Sequence, residues 1–214
     1  VLAFRNAGDG CLLVESDDPA GFARLLDKSP VPGVSDFVPA ESTILVHVEA
    51  GTDLSVLRRQ LSELNAGGLQ PGELATLPIE VSIAVRYDGP DLDEVARRTG
   101  QSRRQVIARH SEALWRCDFI GFAPGFSYLT SDAKPITVPR RDQSRARVPA
   151  GSVALAGRYS AVYPRASPGG WQVIGTTAAP MWDVSRQSPA LVTPGALVRF
   201  VEQAAGPGRC VIAL

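Results

Sequence analysis

The chain changes texture once, near Arg116, and that change limits what it can fold into. Before it, amphipathic helical stretches alternate with strands. After it, short β-rich segments are cut by Gly and Pro with no further amphipathic helix, the punctuation of a barrel or sandwich. No internal repeat or low-complexity tract intervenes, so the 214 residues read as two fused domains without a floppy linker.

In the first half, residues 12–15 read as a strand. Pro19 follows Asp18 at a first helical position, with Phe22, Leu25 and Leu26 on one face, and Pro30 and Pro32 end that helix. Residues 34–38 and 44–48 form a hairpin. Asp53 then caps a helix striped by Leu54, Leu57, Leu61 and Leu64 and stopped by Gly67 and Gly68. The cleanest alternation sets Ile79, Val81, Ile83, Val85 and Tyr87 against Glu80, Ser82, Ala84 and Arg86, a half-buried strand. Strand, helix, strand, strand, helix, strand is the split βαβ order of a ferredoxin-like unit. The fold class expected is therefore α+β, with domains at residues 1–86 and 87–214.

The turn at Tyr87, Asp88, Gly89 and Pro90 leads into two helices with capping boxes, Asp91 with Glu94 and Ser102 with Gln105, separated by Gly100. Later strands are expected at 117–122, 152–155, 161–163, 171–175, 197–201 and 210–214.

Acidic and basic residues balance at 22 each, so no global field draws the chain to nucleic acid or an anionic membrane. Lys28 and Lys134 are the only lysines, which disfavours lysine-based covalent chemistry. Cys11, Cys117 and Cys210 are far apart and form no C-x-x-C pair, favouring reduced, buried thiols in a cytoplasmic protein. No apolar run spans a bilayer, and no secretory leader is indicated. Walker A, Rossmann and nucleophile-elbow signatures are absent. With only His47 and His110, a multi-histidine metal centre is not expected.

Chemistry must then be sought in loops. Gly121, Phe122, Ala123, Pro124, Gly125, Phe126, Ser127 and Tyr128 fix a special backbone path, offering N–H groups to an anion or carbonyl beside an aromatic wall. The alternative is an architectural turn whose aromatics fill the core. Arg140, Arg141, Arg145 and Arg147 either clamp a carboxylate or phosphate, or form a solvated face and ion pairs. Ser167, Pro168, Gly169, Gly170 and Trp171 make another rigid turn, for substrate or for structure. His110 shares a helical stripe with Val106, Ala113 and Leu114, as a general acid or base or as a packing histidine; His47 reads as structural or exposed.

These loops, together with residues 148–154, Tyr163-Pro164 and Tyr87-Asp88-Gly89-Pro90-Asp91-Leu92, resemble the spaced motifs of the 5-oxoprolinase B-subunit family, also called allophanate hydrolase subunit 1, over nearly the whole chain. The resemblance implies a ferredoxin-like domain followed by a cyclophilin-like β-barrel. It also implies a complex with the C and A subunits that opens 5-oxoproline to glutamate, with ATP and Mg as co-substrate. Within the superfamily it further implies two alternatives: a carboxyltransferase half served by a biotin carrier, and a non-catalytic inhibitor of a sensor histidine kinase. On the leading reading, His110, Arg145 and Arg147 are the expected catalytic residues. Gly121, Phe122, Pro124, Gly125, Phe126, Tyr128, Ser152, Ser167, Pro168, Gly169, Gly170 and Trp171 are expected to line the substrate. Two stretches depart from the family pattern: Arg158-Tyr159-Ser160-Ala161 replaces Gly-Gln-Thr-Gly, and Gly175-Thr176-Thr177-Ala178 replaces Gly-Arg-Thr-Pro.

Overall fold

The computed structural model describes residues 2–67, 79–131 and 136–203. It divides into two compact units, Val1–Leu77 and Pro78–Leu214.

The first unit contains β1 (Ala3–Asn6), β2 (Cys11–Glu15), α1 (Pro19–Lys28), β3 (Val34–Pro39), β4 (Thr43–Val48) and α2 (Leu54–Gly67). Asp18 caps α1 by accepting from the Gly21 N–H at 2.8 Å, with Pro19 just inside. The sheet order is β1-β2-β4-β3, with every neighbouring pair antiparallel. Strands β2 and β3 therefore run parallel with β4 between them. Leu12, Val14, Ile44 and Val46 pack against Phe22, Leu25 and Leu26 of α1 and Leu57 and Leu61 of α2.

One expected strand is elsewhere. The outer place beside β2 belongs to β1, whereas the 79–87 alternation forms β5 (Glu80–Val85) in the second unit. The domain boundary expected at residue 86 accordingly moves to Leu77–Pro78. Alternation announces a half-buried strand but not its sheet, and β5 finds a distant parallel partner in β13 (Leu197–Glu202).

The second unit adds α3 (Leu92–Thr99), α4 (Arg103–Glu112), β6 (Leu114–Ile120), β7 (Ser127–Thr130), β8 (Arg145–Val148), β9 (Ser152–Ala156), β10 (Tyr159–Val162), β11 (Ser167–Gly169) and β12 (Gln172–Thr176). Its main sheet runs β12-β9-β10-β7-β6-β13-β5, and β8 pairs with β11 in a separate ribbon. Reciprocal backbone bonds of 2.9 and 2.8 Å join Arg86 to Thr176, so the two ends of the sheet meet and the barrel is nearly closed. Segments read as loops at 127–130, 145–148 and 167–169 are strands. The expected strand at 210–214 lies outside the described residues.

Alternation along the barrel strands builds two apolar layers. Val153 and Leu155 join Trp115, Leu129, Val162, Ile174 and Phe200 with the helix residues Leu92, Val95 and Val106. On the opposite face, Ala154, Ala156 and Ala161 make a small-residue floor beneath Phe119, Phe126, Tyr159, Tyr163 and Trp171. Ser102 and Gln105 form the expected reciprocal capping box, and Gly100 adopts the left-handed conformation at φ 65°. Asp91 caps nothing with its side chain, contrary to expectation.

Candidate functional site

The turn between β6 and β7 is tightly wound. Ala123 N–H donates to Gly121 C=O at 2.7 Å around Phe122, whose φ of +67° is the only positive value at a non-glycine among the described residues. Such a three-residue turn is rare and strained for a bulky side chain. Phe126 N–H then donates to Ala123 C=O at 2.9 Å, with Pro124 leading and Gly125 at φ +80°, the residue pattern of a type II turn. A Cβ on Gly125 would lie 2.8 Å from the Met181 carbonyl oxygen, so the turn is seated as well as bent.

The three loop aromatics have different fates. Phe126 is a core residue, with ring contacts to Tyr128, Tyr163 and Trp171 at 5.1, 5.3 and 5.4 Å. Tyr128 is half-buried, stacked on Phe119 at 4.3 Å. Phe122 is 61% exposed and touches Phe126 edge-on at 5.2 Å. Trp182, also exposed, sits beside the same turn, its Cβ 3.0 Å from where a Gly125 Cβ would be. Sequence reading missed Trp182, because nothing local marked the 181–190 segment as the neighbour of residues 121–126.

The Ser-Pro-Gly-Gly-Trp turn abuts this cluster. Gly169 lies so close to the Tyr163 hydroxyl that a Cβ would be 2.3 Å from it. Trp171 and Gly170 are buried, Pro168 is exposed, and the half-buried Ser167 has a buried hydroxyl oxygen with no hydrogen-bond partner. Ser152 is buried at the start of β9. Ring contacts thus bring Phe122, Phe126, Tyr128, Tyr163 and Trp171 into one patch, with Pro124 and Gly121 on its rim.

The expected catalytic residues do not converge. Arg145 is committed to Asp91, donating to its two oxygens at 2.7 and 2.8 Å, while Arg141 donates to the same carboxylate and the Val173 N–H adds a bond of 2.7 Å. Asp91 is 3% exposed. Burial alone would raise its carboxyl, but the Arg145 and Val173 hydrogen bonds and the two guanidinium charges outweigh that and hold it below the usual carboxylate range. Arg145 is therefore engaged as a structural partner of Asp91. Arg147 is exposed on β8, outside this knot.

His110 is fully buried. Its Nδ1 shares a 2.7 Å hydrogen bond with the Tyr87 hydroxyl, its Nε2 one of 2.8 Å with the Ser160 hydroxyl, and its ring stacks on Phe200 at 4.3 Å. Desolvation pushes its pKa down to about 3. A general acid–base needs a nitrogen facing the reactants, and both of these are occupied inside the core. This placement matches the packing alternative for His110 rather than the catalytic one.

The two departures from the family pattern are absorbed into structure. Ser160 is the His110 partner, Tyr159 stands edge-on to Phe119 at 5.8 Å, and Ala161 belongs to the floor. Thr176 makes the barrel-closing bridge and donates its hydroxyl to Asp88 at 2.9 Å.

The family described as "Carboxyltransferase domain, subdomain C and D" matches residues 2–192. This chain belongs to that family. It is 36% identical to the B subunit of 5-oxoprolinase from Escherichia coli over 215 residues, covering 93% of this chain and 95% of that one. Among solved structures, TTHA0988 is 34% identical with a TM-score of 0.73 over 94% of this chain, which spans only 41% of the TTHA0988 chain. The Kluyveromyces lactis urea carboxylase has a TM-score of 0.74 at 16% identity, covering 95% of this chain and 22% of that one, a likeness of fold. Among the described residues no helix is long and apolar enough to cross a membrane.

Proposed function

We propose that this chain is the B subunit of a 5-oxoprolinase, active in a complex with the C and A subunits that opens 5-oxo-L-proline to L-glutamate with ATP and Mg as co-substrate. The observation that carries the reading is the nearly end-to-end 36% identity with the B subunit of a 5-oxoprolinase. The geometry supports a particular part for the chain to play. The aromatic patch is built of rings in mutual contact, with Phe126, Tyr163 and Trp171 buried and Phe122 displayed at its edge. A filled wall with an exposed, strained Phe122 at its edge is one side of a site that another polypeptide completes.

On this reading Phe122 and Tyr128 flank the flat lactam ring, while Arg147 meets charge developing at the lactam oxygen as it is activated. The first unit reads as a ferredoxin-like domain with an exchanged edge strand and the second as a cyclophilin-like barrel. The chain works in the cytoplasm.

Purified together with the C and A subunits, the chain should support 5-oxoproline-dependent ATP turnover with glutamate as product. No turnover above that of those two subunits alone would refute the reading. The family description favours one alternative, a carboxyltransferase half acting with a biotin carrier. Activity that requires a biotinylated carrier and ignores 5-oxoproline would select it.

A further inference from the structure

In the first unit, helices α1 and α2 cover the sheet face carrying Leu12, Val14, Ile44 and Val46. The next residues along the same strands point to the other face, where Cys11 and His47 are cross-strand partners on β2 and β4. The Cys11 Sγ lies 3.5 Å from the His47 Nδ1, and both side chains are only partly buried. Asp36 of β3 is the register partner of His47 on its other side, so Cys, His and Asp occupy one row across three strands. Asp9 in the β1–β2 turn and Glu49 just beyond β4 are titratable residues two positions from Cys11 and His47, while Arg5 and Glu15 are paired with one another at 2.9 Å, Glu15 at the far end of β2. None of these residues belongs to the barrel site.

Cys117 provides the contrast within the same chain. It is fully buried, donates to the Phe119 carbonyl oxygen, and burial pushes its thiol up to about 12. A thiol reacts as thiolate, so accessibility and a neighbouring base separate the two sites.

We propose that Cys11 and His47 form a thiol–imidazole pair that takes up low-molecular-weight disulfides, making Cys11 a site of mixed-disulfide modification. The step balances without a further reagent. Cys11 passes its proton to the His47 Nδ1, and the thiolate attacks one sulfur of the incoming disulfide. A Cys11–S bond to that half forms as the original S–S bond breaks, and the other half leaves as thiolate and takes the proton from the imidazolium. The pair is independent of the proposed lactam chemistry, because it lies in the other unit.

The test treats the full chain with glutathione disulfide and follows each cysteine by peptide mass spectrometry. Cys11 in the folded chain should react about tenfold faster than the same cysteine in urea-unfolded chain, while Cys117 stays unmodified. His47→Asn should bring Cys11 back to the unfolded rate. A folded rate equal to or below the unfolded one would overturn the proposal, as would an unchanged rate in folded His47→Asn. Should that variant fail to fold, the folded-to-unfolded ratio of the unsubstituted chain decides alone.

Discussion

Two segments of the barrel unit, the turn at 121–126 and the arginine segment at 140–147, carry side chains suited to ligands and use them in opposite ways. Arg141 and Arg145 point inward and saturate the nearly inaccessible carboxylate of Asp91, tying the start of α3 to β8 and β12. Phe122 points outward from a strained backbone while its neighbour Phe126 fills the core. Residues that complete one another's bonds hold the fold, whereas a residue kept exposed at a conformational cost is available to something else.

The contrast breaks most readily at Asp91. Asp91→Ala leaves two guanidinium groups without their buried partner and should cost about 3–5 kcal/mol in urea unfolding. A loss below about 1 kcal/mol would mean that those arginines are solvated and open to ligand after all.

Next in size, Phe126→Ala should cost about 3–4 kcal/mol, whereas Phe122→Ala should change stability by no more than about 0.5 kcal/mol. Equal losses would erase the distinction between the two rings.

The buried imidazole gives a pH test. An unfolded histidine takes its proton near pH 6.5, but folded His110 resists until about 3, so the unfolded state binds more protons between these values. Stability should fall as pH drops below 6.5, by up to about 1.4 kcal/mol per pH unit. Urea midpoints at pH 7.5, 6 and 5 check this, and a flat profile would mean that His110 charges without penalty. Smallest of all, Ser102→Ala removes the capping box of α4 and should cost about 1 kcal/mol.

The N-terminal helices, the Ser102 cap and most barrel strands were legible because each is written in local periodicity or capping chemistry. The partner of β5 was not, since its alternation fits any half-buried strand and β13 lies more than a hundred residues away. The partner of the arginine segment was not legible for a related reason. Asp91 resembled a helix cap from its neighbours, and only folding shows it facing Arg145 54 positions later. The aromatic turn was read at the right place but too generously, because sequence could not separate the buried Phe126 from the displayed Phe122.

The most direct test of the account replaces Phe122 with glycine, which relaxes the positive φ and removes the exposed ring in one step. Measured in the complex with the C and A subunits, Phe122→Gly should hold or gain stability, by about 1 kcal/mol, while 5-oxoproline-dependent ATP turnover falls at least about tenfold. Full turnover in that variant would contradict the claim that the strained turn is kept for the shared site.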